Sequence, residues 1–225
     1  VERLYDRLKG TYSVGYYHGG LDYQQRSLLQ KQFHDQELHI LIATNAFGMG
    51  INKSDIRYVI HYDLPDSMEN YIQEIGRAGR DQEQSYSLLL YQPGDEQIHR
   101  FFHQSNQEKR EHFEQMLEMK VENVFDELQL KWHQQGKREG MSLFLDALKE
   151  NEHQKQKKLQ QMLQYIETPG CRRAFLLAAM GENNLEESIC CDFHGATIPD
   201  KSVEPFEIIK NEEDWQAILQ RMFKE

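Results

Sequence analysis

Along the first hundred residues the apolar positions switch between helical spacing and short unbroken runs. The opening "VERLYDRLK" is amphipathic at helical spacing, and "YSVGYYH" after it reads as a short strand. "DYQQRSLLQKQFHDQ" predicts a helix with Asp22 as its N-cap. "LHILIAT" is continuously apolar, the pattern of a parallel strand buried on both faces. "AFGMGIN" is a glycine-punctuated loop, and "RYVIHYDL" is the next strand, ended with the help of Pro65. "SMENYIQEIGRAG" predicts a helix with Ser67 as N-cap and Asn70 at the third helical position, and "SYSLLLY" a further strand closed by "QPGD". Strand and helix in this alternation predict an open α/β sheet with right-handed crossovers.

The pattern then changes. From about Gln97 to Thr168 no strand signal occurs. "EHFEQMLEMKVENVFDELQLKW" and "QKQKKLQQMLQYIE" predict amphipathic helices, with "GKREG" as a turn or hinge. Pro169-Gly170 introduces a compact cysteine segment, and "VEPFEIIKNEEDWQAILQRMFKE" predicts a short extended piece and a final helix. The Lys155, Lys157, Lys158 run reads as a solvated helix face. The expected division is an α/β domain over residues 1–104, a helical domain over 105–198 and a tail over 199–225.

Composition narrows the function classes. The 225 residues suit one or two domains, and no apolar run is long enough to span a bilayer. Three cysteines late in the chain do not form a secreted disulfide framework, so a reducing cytoplasmic setting is expected. A net charge of −11 argues against a free-standing DNA-binding domain, while leaving room for local basic sites in a larger machine. The start at Val1, inside a predicted helix, reads as the edge of a piece of a longer protein.

Against that acidic background, "QEIGRAGRD" places Arg77 and Arg80 three residues apart. On a helical turn both guanidiniums would share one face and could clamp a triphosphate, one holding it and one stabilising charge as the terminal phosphoryl leaves. Gln73, one turn earlier, could position a water or a phosphate oxygen. A surface salt-bridge set with Glu74 and Asp81 accounts for the same residues without ligand chemistry. The strand before "AFGMGIN" delivers Thr44 and Asn45 to its carboxyl end, where open α/β sheets bind ligands. Gly48 and Gly50 allow close backbone approach, and Asn52 and Asp55 could contact a ribose or orient an arginine. A plain glycine-rich turn is the alternative. In "YYHGGLDYQQR", His18 follows a strand and Arg26 lies on the next helix, whose amino end suits a backbone phosphate.

Together "YHGGLDYQQR", "ATNAFGMGINKSDIRYVIHYDLP" and "YIQEIGRAGRD" resemble the second RecA-like motor domain of a superfamily 2 helicase. "TNAFGMGINK" with "QEIGRAGRD" resembles the RecQ family of ATP-dependent DNA helicases, and "CRRAFLLAAMGE" with the later cysteines resembles that family's zinc-binding segment. The likeness covers about Val1 to Gly195, loosely in the middle helices. It implies a RecA-like α/β fold followed by a mainly helical zinc-binding domain. It also implies ATP-driven 3′-to-5′ unwinding of duplex DNA in recombination and repair, at the bacterial nucleoid. Arg77, Arg80 and Gln73 would be catalytic, Gly48, Gly50, Asn52 and Asp55 nucleotide-facing, and His18, Arg26, Thr44 and Asn45 would face the strand. The partners implied are single-stranded DNA and duplex junctions, ATP with Mg²⁺, and repair proteins such as a single-strand-binding protein.

The chain also departs from the family pattern. It has no G-x-x-x-x-G-K-[ST] phosphate loop and no acidic Mg²⁺ box, so ATP and Mg²⁺ are expected to be held mainly by another domain. By this resemblance the domain's own first strand is expected to be missing from this chain, and no room for a winged helix is expected after Gly195. The family's zinc cysteines, one before "RR" and three as C-x-x-C-x-x-C, meet Cys171 and "SICCDFH" here. Counting in threes from Ser188 reaches Cys191 and His194, so one expected cysteine is serine and the last is histidine. Cys171, Cys190, Cys191 and His194 would form a Cys₃His set that Zn²⁺ accepts. Whether Cys190 or Asp192 completes it stays open, as does a decayed site held by packing alone. Two rivals remain at this level: an RNA helicase of the same superfamily, and a non-enzymatic DNA- or partner-binding module.

Overall fold

The computed structural model describes residues 1–48, 53–121, 124–182 and 190–198. The predicted extended piece and helix after Gly195, at 203–225, lie outside the described residues. The described chain divides into two compact units, Val1–Asp55 and Ile56–Ile198.

The first unit runs α1 (Glu2–Leu8), β1 (Val14–Tyr17), α2 (Tyr23–His34) and β2 (Ile40–Ala43), then a 3₁₀ turn, Asn45–Gly48. Strands β1 and β2 pair in parallel, with Val14 opposite Ile40 and Tyr17 opposite Ala43. Asp22 caps α2 as its sequence predicts: its carboxylate accepts from the Gln25 amide at 2.8 Å, and Gln25 answers with a bond to the Asp22 amide at 3.1 Å. Tyr17, Leu21 and Leu29 form the buried core, covered by Leu38, Leu41 and Phe47. β2 departs from expectation, because none of its four residues is buried. Helices α1 and α2 both pack against β1, and β2, at the edge of a two-stranded sheet, is left part-covered.

The second unit contains β3 (Tyr58–His61), α3 (Met68–Ile75), β4 (Tyr86–Leu89), α4 (Gln97–Glu118), α5 (Glu127–Glu139), α6 (Met141–Glu167) and α7 (Arg172–Ala179). β3 and β4 pair in parallel, Tyr58 opposite Tyr86 and His61 opposite Leu89. Among the described residues the expected open sheet is therefore two separate two-stranded parallel sheets. The predicted helix over 111–132 is broken. α4 ends at Glu118, Lys120 turns to φ 56°, and Asp126 starts α5 with a capping box to Gln129. That D-E-L-Q signal is present in the sequence and marks the break. The turn predicted in "GKREG" falls at Gly140, at φ 97°. Gly136 stays inside α5, where a Cβ would come within 2.5 Å of the Met141 sulfur; its absence lets α5 and α6 close into a tight antiparallel hairpin.

Helix α6 joins the two cores of this unit. Phe113, Met116 and Phe125 pack beneath Trp132, Met141 and Leu145 at its amino-terminal end. Leu159, Met162 and Tyr165 pack against Leu64, Met68 and Tyr71 of the α3 region. Between the cores, Arg110 is 6% exposed, and its Nε donates to both Glu152 carboxylate oxygens at 3.1 and 2.9 Å. Its Nη1 reaches Glu114 at 3.0 Å. A buried guanidinium is tolerated only when it is paired in this way.

Candidate functional site

The parallel register of β1 and β2 brings His18 and Thr44 to one carboxyl edge of that sheet. The Thr44 amide donates to the Tyr17 carbonyl at 3.0 Å, and the Thr44 hydroxyl accepts from the Ala46 amide at 3.3 Å. Thr44 thus caps the 3₁₀ turn, and Asn45, its first residue, is exposed. His18 Nδ1 accepts from the Gly20 amide at 3.1 Å, which leaves the ring proton on Nε2, 3.4 Å from Glu2. Arg26 lies half-buried near the amino end of α2, with Nε 3.4 Å from the Asp22 carbonyl. Gly48 closes the 3₁₀ turn, while Gly50 and Asn52 lie outside the described residues. Asp55 sits at the other end of α2. It is held there by Lys53 at 2.9 Å and Gln36 at 2.9 Å, and the hydrogen bond from Lys53 keeps its carboxyl below the usual range. Lys53 itself is buried and also reaches the His34 carbonyl at 3.3 Å.

Arg77 and Arg80 are not on a helix. α3 stops at Ile75, and residues 76–81 form a turn. Gly79 takes φ +64°, and its amide leaves the helical ladder to donate to the distant Ile56 carbonyl at 3.0 Å. A Cβ at Gly79 would lie 2.5 Å from the Ser85 hydroxyl and 3.1 Å from the Glu83 carbonyl, so this glycine serves the turn's own packing. Arg77 is half-buried; Arg80 is exposed, its Nε donating to the Gly76 carbonyl at 3.2 Å. Gln73 is exposed on the last turn of α3. The acidic residues expected in a surface salt-bridge set are engaged with β3 and its approach: Asp81 with Arg57, and Glu74 with His61 at 2.6 Å. Arg57 and His61 were not singled out by sequence reasoning, and "RYVIH" shows only a strand.

Cys171, Cys190, Cys191 and His194 converge, with donor atoms all within 4.8 Å of one another. Cys171 Sγ lies 3.5 Å from Cys190 and 3.9 Å from Cys191; His194 Nδ1 lies 3.3 and 3.6 Å from the same two sulfurs. Zinc–sulfur bonds of about 2.3 Å place the sulfurs of a tetrahedral site about 3.8 Å apart, so the set fits Zn²⁺. Burial, with the thiols of Cys171 and Cys191 beside it, pushes Cys190 up to about 11. Burial acts the same way on Cys191, but hydrogen bonds from the Arg172 and His194 backbone, Cys171 and the His194 ring bring it down to about 6. One thiolate is stable in this cluster and a second is opposed by the first, a conflict that a divalent cation removes. Asp192 points elsewhere, pairing with Arg172 Nε at 3.2 Å. Arg172 in turn donates to the Tyr165 and Ile166 carbonyls, capping the end of α6.

Comparison with known proteins places these features in sequence families. Residues 1–82 match the helicase conserved C-terminal domain, and residues 129–194 match the RecQ zinc-binding model. Over 183 residues the chain is 36% identical to ATP-dependent DNA helicase RecQ of Bacillus subtilis (strain 168), covering 81% of this chain and 24% of that protein. The chain belongs to the RecQ family. It is also 47% identical over 96 residues to ATP-dependent DNA helicase RecQ of Pasteurella multocida (strain Pm70), covering 42% of this chain and 15% of that protein. The bifunctional 3′-5′ exonuclease/ATP-dependent helicase WRN of Mus musculus is 53% identical over 79 residues, 35% of this chain and 6% of that protein. The chain spans a quarter or less of the length of these relatives. On this RecQ-family chain the arginine turn lies near the end of the helicase match, and the sulfur cluster lies inside the zinc-binding match. No described helix is long and apolar enough to cross a membrane.

Proposed function

We propose that this chain supplies the second motor domain and the zinc-binding segment of an ATP-dependent 3′-to-5′ DNA helicase acting in recombination and repair. Its domain division is the one expected from sequence, with the motor over residues 1–104 and the helical zinc-binding part over 105–198. The observation that carries this reading is the arginine turn: two guanidiniums three residues apart in a chain of net charge −11, on a turn shaped by a left-handed glycine. ATP and Mg²⁺ are held mainly by a first motor domain. Arg77 binds phosphate and favours domain closure, Arg80 stabilises the charge that develops on the leaving phosphoryl, and Gln73 positions the attacking water. Gly48, Gly50, Asn52 and Asp55 line the nucleotide side. His18, Arg26, Thr44 and Asn45 hold the phosphates of the single strand, the first three gathered around the carboxyl edge of β1–β2 and the start of α2. Closure on ATP and opening after hydrolysis move the protein along DNA. Zn²⁺ is held by Cys171, Cys190, Cys191 and His194 and secures the segment around α7. Partners are single-stranded DNA, duplex junctions and repair proteins such as a single-strand-binding protein.

The test is made in the complete helicase polypeptide. Arg80→Ala is expected to retain near-normal ATP and DNA affinity and to lose about 10³- to 10⁵-fold in turnover, the range of an arginine finger. Arg80→Lys rescues poorly, because a point charge does not replace a planar fork. DNA-stimulated hydrolysis by Arg80→Ala within a few-fold of wild type would show the turn to be structural and overturn the reading.

A further inference from the structure

Strand β3 holds the arginine turn at both ends. Successive strand residues alternate in direction, so Arg57, Val59 and His61 share one face while Tyr58, Ile60 and Tyr62 occupy the other, exposed one. On the first face, His61 is 8% exposed and its ring packs against Tyr71 at 4.9 Å. Its Nδ1 is buried with no hydrogen-bond partner among the described residues. A buried N–H without an acceptor costs more than a bare lone pair, so the proton resides on Nε2 and is donated to Glu74 Oε2 at 2.6 Å. Glu74 is the penultimate residue of α3, and its carbonyl accepts from the Arg77 amide at 3.2 Å. The entrance to the turn is thereby tied to the end of β3.

The exit is tied to the two residues just before the same strand. Arg57 pairs with Asp81 and donates through Nη1 to the Gln84 carbonyl at 3.2 Å. Asp81 also accepts from the Glu83 amide at 3.1 Å, and the Gly79 amide bonds the Ile56 carbonyl at 3.0 Å. Arg57 keeps the Asp81 carboxyl ionised well below the usual carboxylate range. The two anchors are four residues apart, at the approach and the end of one strand, about 13 Å if extended throughout. Every residue between Glu74 and Asp81, including both arginines, is held between them.

We propose that Arg57, Asp81, His61 and Glu74 are positioning residues that clamp the Arg77–Arg80 turn onto β3 and set where the arginine head groups meet the nucleotide. This rests on the reading of Arg77 and Arg80 given above. None of the four touches the nucleotide; each acts through the arginines. A reacting group displaced by about 1 Å loses on the order of a hundredfold in rate, so loosening either anchor should be felt in turnover before it is felt in binding.

The experiment uses the complete helicase polypeptide and measures kcat and KM for ATP with DNA present, alongside the thermal midpoint. Asp81→Ala and His61→Gln should each lower kcat by about ten- to a hundredfold, with KM within about threefold of wild type. If His61→Gln does not fold, Glu74→Ala, which removes the acceptor opposite the ring nitrogen, takes its place. Combining Asp81→Ala with Arg80→Ala should cost well under the product of the two single losses, because the aspartate works in part through that arginine. The charge-swapped pair Arg57→Asp with Asp81→Arg should recover most of the loss. A kcat within twofold of wild type for both single variants overturns the clamp, and so does a loss that adds in full to that of Arg80→Ala. Unchanged turnover in Arg80→Ala alone overturns the underlying reading instead, so the two failures are distinguishable.

Discussion

Replacing Cys190 tests the metal assignment directly, because it separates the two residues that sequence spacing leaves open. Cys190 Sγ lies 3.5 Å from Cys171 Sγ and 3.3 Å from His194 Nδ1, close to the edges of a zinc tetrahedron. Asp192 is turned into a pair with Arg172 at 3.2 Å. Structural zinc sites bind with apparent free energies of about 10–16 kcal/mol near neutral pH, which is about 2.5–4 kcal/mol for each of four ligands. Losing one thiolate should therefore weaken zinc affinity on the order of 10²- to 10³-fold. Cys190→Ser and Asp192→Asn are purified in parallel, their metal content is measured, and zinc affinity is read by competition with a chromogenic chelator. The expected result is about one zinc per wild-type chain, a loss of that order for Cys190→Ser, and an affinity within a few-fold for Asp192→Asn. Wild-type affinity in Cys190→Ser together with zinc loss in Asp192→Asn would refute the assignment. Well-folded wild-type protein without zinc would return the cluster to ordinary packing.

Further outcomes follow from other parts of the structure. Cys171→Ser keeps an N-cap acceptor for the Ala174 amide at the start of α7 but removes a zinc ligand, so it should lose metal and solubility together because a structural zinc site contributes folding energy; sedimentation and metal analysis check this. Glu152→Ala leaves the buried Arg110 with Glu114 and Glu111 and should cost about 3 kcal/mol in urea unfolding, whereas a cost under about 0.5 kcal/mol would show the pair to be dispensable. Gly79→Ala forces a side chain into left-handed backbone at about 1–2 kcal/mol and against Ser85, so the melting temperature should fall and turnover with it. The 225-residue chain alone, which carries no phosphate-loop motif, should show no DNA-stimulated ATP hydrolysis; robust hydrolysis would count against a two-domain motor.

Much of the local structure is written in short-range chemistry. Asp22 and Ser67 act as N-caps in the structure as their spacing predicts, because a cap depends on residues two or three positions away. The strand and helix alternation and the long helices beyond Gln97 are likewise set by apolar periodicity. Asp126 follows the same rule, and its capping box marks the break between α4 and α5. The residue types of the candidate sites, arginines beside glycine and cysteines beside histidine, also need no structure to be noticed. Other features depend on partners far along the chain. α3 ends before the arginines because Gly79 bonds Ile56, in the approach to β3, a segment that sequence spacing does not connect to it. His61 and Glu74 form a part-buried pair only because the end of β3 meets the end of α3. The choice between Cys190 and Asp192 is made by Arg172, which takes the carboxylate while capping α6, and so leaves the sulfur to face Cys171. Periodicity reports which side of an element is apolar. Which neighbour that side meets, and which polar group is left facing a ligand, is decided only when distant segments pack.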